Sequence, residues 1–128
     1  MKERESETTI FSETEKVKAA GVLADRGLLV VVSDNFFGKT FVIEKPEVTA
    51  GRHSSCDIIV EDPLVSKEHF LICTDADGRF SVEDLGSKNG TFLNKKKVKK
   101  RTRMFYGDRL VVGNTIFRFF LEEKVSRK

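Results

Sequence analysis

The stretch that decides the fold is residues 51–70, GRHSSCDIIVEDPLVSKEHF. It places a cation directly after a glycine, then an apolar β-branched run, an Asp-Pro turn, and a hydroxyl three residues before a histidine. Gly51 allows a backbone bend that a side chain would block, so Arg52 can leave a strand end and point into a loop. Arg52 carries a planar, permanently charged fork that suits a phosphate or a carboxylate.

A second turn, residues 86–91 with the sequence GSKNGT, complements the first stretch. Ser66 adds a short hydroxyl, and Asn89 adds an amide that can pair with the backbone of another chain. Loops on a rigid framework are the usual place for binding groups. The sequence therefore predicts an anion-binding surface made from loops.

Short apolar or alternating segments separated by turn residues predict the strands. They are residues 28–32, 40–43, 47–50, 57–60, 69–74, 79–84, 91–93, 109–112 and 115–121. Turn signals recur about every 8–12 residues and no long helical pattern appears, which predicts an all-β sandwich.

Length and composition fit one domain of 128 residues with charged ends. We expect a flexible N-terminal tail over residues 1–26, a folded domain over residues 27–121, and a C-terminal tail over residues 122–128. Eleven Phe with one Tyr and no Trp favour an aromatic core. A net charge of +3 identifies no partner, and two cysteines make no disulfide framework. No apolar run is long enough to span a bilayer, so we expect a cytoplasmic protein without membrane contact.

The motifs resemble those of the forkhead-associated (FHA) domain family, roughly over residues 27–121. The resemblance is carried by Gly51-Arg52, Cys56-Asp57-Ile58, Ser66-x-x-His69, Asp84-Leu85-x-Ser87-x-Asn89-Gly90-Thr91 and Gly107-Asp108-x-Leu110-x-x-Gly113. It implies an eleven-stranded β-sandwich of two twisted, mainly antiparallel sheets. It also implies a signalling module without enzymatic activity or cofactor, whose apical loops bind phosphothreonine peptides.

The resemblance assigns roles to single residues. Arg52 and Ser66 would contact the phosphate, and Asn89 would hold the main chain of the bound peptide. Lys67 and Lys88 stand where many members carry other residues, and each is either an added phosphate contact or a solvated loop lysine. Architectural roles are expected for four more residues: Gly51, His69, Gly86 and Gly90.

Residues 6–11, SETTIF, resemble the phospho-acceptor segment of small bacterial FHA regulators. By that resemblance, a Ser/Thr kinase would phosphorylate Thr8 or Thr9, and the tail would then occupy the binding site of its own domain. From Thr9 to Gly27 the extended chain spans about 60 Å, so its reach is ample. The alternative is a charged tail with incidental threonines, in which case the partner is another phosphothreonine protein.

Two patterns suggest chemistry that we do not expect. A Ser66–His69 hydrolase lacks the glycine pattern of a nucleophile elbow. His53-x-x-Cys56 followed by His69 and Cys73 imitates a zinc-finger spacing. However, residues 69–74 are predicted as a strand, so His69 and Cys73 would lie roughly 13 Å apart, too far for one metal. We therefore expect no metal and two buried cysteines.

The basic run from Lys95 to Arg103, KKKVKKRTR, leaves an alternative open. It is either a solvated sheet edge, because lysines on edges block strand pairing, or a surface for nucleic acid or an acidic partner. No aromatic residues interleave it, so we favour the edge and do not expect nucleic acid as a partner. Asn94, just before the run, can take a left-handed turn.

Overall fold

The computed structural model describes residues 26–122, which form eleven strands. The strands are β1 (Gly27–Val31), β2 (Thr40–Ile43), β3 (Glu47–Gly51), β4 (Ile58–Ile59), β5 (Phe70–Thr74), β6 (Phe80–Asp84), β7 (Thr91–Leu93), β8 (Lys96–Lys97), β9 (Thr102–Arg103), β10 (Arg109–Val112) and β11 (Thr115–Leu121). Of the two predicted tails, only Arg26 and Glu122 fall within the described residues, so those boundaries stay a prediction.

The strands form two sheets, which confirms the predicted all-β class. The six-stranded sheet has the order β2-β1-β11-β10-β7-β8, and the five-stranded sheet has the order β4-β3-β5-β6-β9. All neighbouring strands are antiparallel except β3 and β4, which run parallel. Within residues 26–122 no helix is long and apolar enough to cross a membrane.

The core lies between the sheets and follows the two-residue period of the strands. Alternate residues of β11 are buried, as in β1. Phe70 packs edge-on against Phe117 with ring centroids 6.1 Å apart, and Phe80 meets Phe119 at 5.2 Å. Each buried ring contributes about 1.5–3 kcal/mol relative to exposure. The predicted aromatic core therefore holds for the strands, whereas three phenylalanines in loops are exposed: Phe36, Phe37 and Phe105.

The basic run contains the two strands that periodicity did not predict. Strand β8 is the edge of the six-stranded sheet, and β9 is the edge of the five-stranded sheet. Between them Val98 is buried, and its N–H donates to the carbonyl of Thr91 at 2.8 Å. Residues 95–103 are thus the place where the chain crosses from one sheet to the other. The turn before β8 has left-handed φ at both Asn94 (50°) and Lys95 (74°), the geometry of a type I′ hairpin.

Strand pairing assigns the loops to two opposite ends of the sandwich. Phe70 pairs with both Ala50 and Asp84, so the loops after β3, before β5 and after β6 meet at one end, here called the apical end. Thr74 pairs with Phe80 at the other end, here called the basal end. The described chain also begins at the basal end, because Gly27 pairs with Leu121 and a Cβ on Gly27 would lie 2.9 Å from the ring of Phe80.

Candidate functional site

Arg52 lies at the apical end, directly after the last residue of β3. Its backbone N–H donates to the carbonyl of Ser66 at 3.0 Å, and its side-chain Nε–H donates to the carbonyl of Val65 at 2.9 Å. These two bonds fix the direction of the guanidinium. The side chain is exposed, and within residues 26–122 no carboxylate forms an ion pair with it. The two terminal amino groups of its fork therefore remain available to an anion.

Ser66 and Asn89 lie in the same apical loops as Arg52, and one hydrogen bond orients the side chain of each. The hydroxyl of Ser66 accepts from the backbone N–H of Lys88 at 3.0 Å, so its own proton is left to donate. The amide of Asn89 donates to the carbonyl of Leu64 at 2.9 Å, so its oxygen and its second N–H are left for another backbone. The structure thus brings Arg52, Ser66 and Asn89 together around residues 64–66.

Lys67 and Lys88 flank these three side chains and are exposed. Neither has an ion-pair partner in the described part of the chain. Their fixed contacts are made by the backbone, since the Lys67 carbonyl accepts from the N–H of His53 at 3.2 Å and the Lys88 N–H is held by Ser66. Their ammonium groups add positive charge to this part of the apical end.

His69 is fully buried and bridges two apical loops. Its Nδ1 accepts from the backbone N–H of Ser66 at 3.0 Å, and its Nε2 lies 2.8 Å from the carbonyl of Gly90. Because Nδ1 accepts, Nε2 must carry the proton that is donated to Gly90. Neither ring nitrogen contacts the Ser66 hydroxyl, so the pair lacks the nucleophile–base hydrogen bond of a hydrolase.

The three apical glycines that the sequence singles out have different reasons for being glycine. A Cβ on Gly51 would lie 2.1 Å from the carbonyl oxygen of Lys67, so the two backbones meet too closely for any side chain. Gly51 does not have a left-handed φ, so close approach, rather than the bend expected from the sequence, is its requirement. Gly86 (φ 73°) and Gly90 (φ 88°) are left-handed, which glycine adopts without steric cost.

Asp84 organises the loop that carries Asn89. Its carboxylate accepts from the hydroxyls of Ser87 and Thr91, both at 2.6 Å, and from the N–H groups of Gly86 and Ser87, both at 3.0 Å. Burial raises the pKa of Asp84, but the bonds from Ser87 and Thr91 outweigh it, so the pKa lies below its ordinary value. Asp84 was visible in the sequence motif, although nothing in the sequence distinguished its role from that of a turn residue.

Asp62 is the residue that sequence reasoning missed, because it looked like one half of an Asp-Pro turn. It is only 1% exposed. Its carboxylate accepts from the N–H of Leu64 (2.9 Å), the N–H of Asn114 (2.7 Å) and the hydroxyl of Thr115 (2.8 Å). Burial alone would raise the pKa of Asp62, but these hydrogen bonds have the larger effect, so its pKa lies below the ordinary value. Asp62 thus ties the loop before β5 to the β10–β11 turn.

The zinc-like spacing forms no cluster. Both ring nitrogens of His69 bond backbone atoms, and His53 pairs its Nδ1 with the hydroxyl and the N–H of Ser55. Cys56 and Cys73 are buried free thiols, and burial raises the pKa of each. Among residues 26–122, no three His, Cys, Asp or Glu side chains are placed to hold a metal ion.

Comparisons with known proteins identify the family of this chain. A model of the FHA domain family matches residues 48–113. The chain belongs to the FHA domain family. FHA domains bind phosphothreonine.

Curated relatives are small regulators. The chain is 37% identical over 90 residues to an oxoglutarate dehydrogenase inhibitor of Corynebacterium diphtheriae, covering 70% of this chain and 62% of that protein. It is 34% identical over 110 residues to the inhibitor of Corynebacterium glutamicum, covering 86% and 76%. It is 34% identical over 93 residues to the glycogen accumulation regulator GarA of Mycolicibacterium smegmatis, covering 73% and 58%. The match thus spans about three fifths of the first and third of these relatives.

Solved structures show the same fold. The FHA domain of the CT664 protein from Chlamydia trachomatis has a TM-score of 0.69 at 28% identity, covering 74% of this chain and 96% of that one. The FhaA FHA domain, solved in complex with the intracellular domain of Rv3910, has a TM-score of 0.66 at 25% identity, covering 73% and 98%. Both confirm the β-sandwich.

Proposed function

We propose that Arg52, Ser66 and Asn89 are the residues with which this chain binds a phosphothreonine. Arg52 donates two charge-assisted hydrogen bonds to phosphate oxygens, and the Ser66 hydroxyl donates a third. Asn89 pairs with the main chain of the peptide. The observation that carries this assignment is shared by the three side chains: each uses one polar group to fix its orientation and keeps another free.

Lys67 and Lys88 supply further positive charge to the phosphate dianion. The second proton of a phosphothreonine dissociates with a pKa of about 6, so the ligand carries close to two negative charges at pH 7. Affinity should therefore fall as the pH drops below about 6. A lysine is a flexible point charge rather than a fork, so we expect each to contribute less than Arg52.

The module acts by binding and not by catalysis. A hydrolytic Ser66 would need a base, but both nitrogens of His69 are occupied by backbone groups. The support for a purely regulatory role is the family, together with the names of the relatives, an inhibitor and a regulator. Its partners would be phosphothreonine proteins of the cytoplasm, and the names of those relatives make a metabolic enzyme a candidate.

The N-terminal tail is the second partner that we propose. Thr8 and Thr9 lie outside the described residues, but the described chain starts at the basal end, roughly 20–30 Å from the apical loops on a strand rise of 3.3 Å per residue. The stretch from Thr9 to Gly27 reaches about 60 Å. Tethering through a flexible linker sets an effective concentration in the millimolar range. Phosphorylation of Thr8 or Thr9 by a kinase would then close the module on itself.

A phosphopeptide array tests the site, and NMR tests the tail. On the array we expect the parent chain to bind phosphothreonine peptides and not their unphosphorylated counterparts. We expect Arg52→Ala to lose this binding. After kinase treatment of the whole chain, we expect amide shifts at Arg52, Ser66 and Asn89. If the array shows binding but the amide shifts are absent, self-recognition is excluded and the site assignment stands. If R52A binds the phosphothreonine peptides as well as the parent does, the site assignment is wrong.

The basic run offers the other candidate function, but its structure favours an edge. Lys96 and Lys97 form the edge strand β8, and Arg101 is paired with Glu83 at 3.1 Å. Binding of nucleic acid would weaken steeply with salt and would be unaffected by Arg52→Ala. Measuring the affinity of the parent chain and of R52A for a duplex DNA at two salt concentrations separates the two functions.

A further inference from the structure

A groove of about 440 Å³ opens at the basal end, on the opposite side of the sandwich from the phosphothreonine site. The turn before β6, the loop after β9 and the end of β11 form it. Its lining includes Arg79, Phe80, Arg103, Met104, Phe119 and Leu121.

The groove combines an apolar floor with a positive rim. Phe80 and Phe119 are 3% and 1% exposed and pack against each other. Arg79 and Arg103 are exposed, and within residues 26–122 neither is in an ion pair. Asp75 lies beside them, and its pKa is lowered mainly by the hydrogen bond that it accepts from the backbone N–H of Arg79, with smaller contributions from the charges of Arg79 and Arg103. An occupant should therefore be apolar with a negative charge close by.

The direction of the backbone at the start of the described chain leads the preceding residues toward the groove. The carbonyl of Arg26 accepts from the N–H of Glu122 at 2.9 Å, so the chain is extended here beside the end of β11. A Cβ on Gly27 would lie 2.9 Å from the ring of Phe80 and 3.0 Å from the ring of Phe119. The Gly27 face is thus the groove face, whereas Arg26 points outward to Glu44 and Glu122.

We propose that residues 23–25 of this same chain occupy the groove. In an extended chain, side chains two residues apart share a face, so Asp25 and Leu23 follow Gly27 on the groove face. Asp25 then faces Arg79 and Arg103, and Leu23 packs on the apolar lining. Val22 and Ala24 fall on the outward face with Arg26.

Tethering favours this segment over a second molecule. Leu23 lies only four residues from Gly27, within about 13 Å of extended chain. A segment attached so closely has an effective concentration in the millimolar range or above, so a second copy or a separate peptide would have to displace it. This docking is independent of phosphothreonine binding. It leaves about 43 Å of extended chain between Thr9 and Val22.

Methionine methyl NMR on the whole chain tests the proposal. The chain has two methionines, Met1 and Met104, and Met104 lines the groove. With ¹³C-methyl methionine, we expect a nuclear Overhauser effect between the Met104 methyl and the Leu23 methyls. We expect Leu23→Ser to shift docking about tenfold toward the open form, as the loss of one buried leucine implies, and so to move the Met104 signal. Asp25→Asn should move the Met104 signal in the same direction by a smaller amount.

Val22→Ser is the matched control, since it makes a similar change on the outward face. It should leave the Met104 signal in place. The proposal is overturned if the Overhauser effect is absent and L23S leaves the signal unmoved. It is equally overturned if V22S and L23S act alike, or if the Met104 signal depends on protein concentration, which would show a second copy in the groove.

Discussion

The buried carboxylate of Asp62 gives the sharpest test of how the apical end is built. Asp62→Asn keeps the size of the side chain but replaces one carboxylate oxygen with an amide NH₂. In the native chain, one oxygen accepts from Leu64, and the other accepts from Asn114 and Thr115. The remaining amide oxygen can serve only one of these two sides. The other side is left with a buried N–H that faces another donor.

The expected cost follows from these contacts. A hydrogen bond to a charged group contributes about 1.5–3 kcal/mol, and an unsatisfied buried donor costs about 1–3 kcal/mol. These two figures overlap, so we expect D62N to lower the free energy of unfolding by about 2–4 kcal/mol. Because the carbonyl of Leu64 anchors Asn89, the same change should also weaken phosphopeptide binding.

Urea unfolding of the whole chain at pH 7 measures the effect. Asp77→Asn is the matched control, because Asp77 is exposed at the basal end and a surface change of this kind stays within about 0.5 kcal/mol. If D62N also unfolds within about 0.5 kcal/mol of the parent, then the Asp62 network does not hold the apical loops together.

Three further predictions concern stability. Lys95→Gly should stabilise the chain by about 1 kcal/mol, because Lys95 has a φ of 74° that glycine adopts freely; a lower urea midpoint would contradict this. Gly51→Ala should cost about 1–3 kcal/mol or more, since its Cβ would meet the Lys67 carbonyl at 2.1 Å, and unchanged thermal unfolding would refute the close contact. Asp62 and Asp84 have lowered pKa values when folded. The stability that they contribute is therefore complete above the unfolded pKa near 4 and is lost as the pH falls through the folded values. A urea midpoint that stays flat from pH 6 to pH 3 would exclude this.

Local pattern was enough to predict most of the strands. Alternating or continuous apolar residues in β1, β5, β6 and β11 are a direct consequence of one buried face per strand. Strands β8 and β9 were not predicted from the sequence, because each has two residues, too few to show a period. Both are also charged edge strands. Their existence is decided by pairing with Phe92 and Val82 in other strands, which no local window contains.

The apical site was predictable as a set of residue types, but not as a network. Arg52, Ser66 and Asn89 stand out because of their chemistry and their spacing. Asp62 does not, since its role arises from Asn114 and Thr115, more than 50 positions away along the chain. Gly51 was singled out for a backbone bend, whereas its actual requirement is the close approach of the Lys67 backbone, which belongs to a distant loop.

The central claim is that Arg52 recognises the phosphate of a phosphothreonine. Calorimetric titration of the tightest array peptide into the parent chain, Arg52→Ala and Arg109→Ala tests it most directly, because Arg109 is an exposed arginine on β10, remote from the apical loops. We expect R52A to lose about 100-fold in affinity, as two charge-assisted bonds imply, while R109A binds like the parent and both variants unfold at the same urea concentration. Equal affinity of R52A and R109A for the phosphorylated peptide would contradict the account.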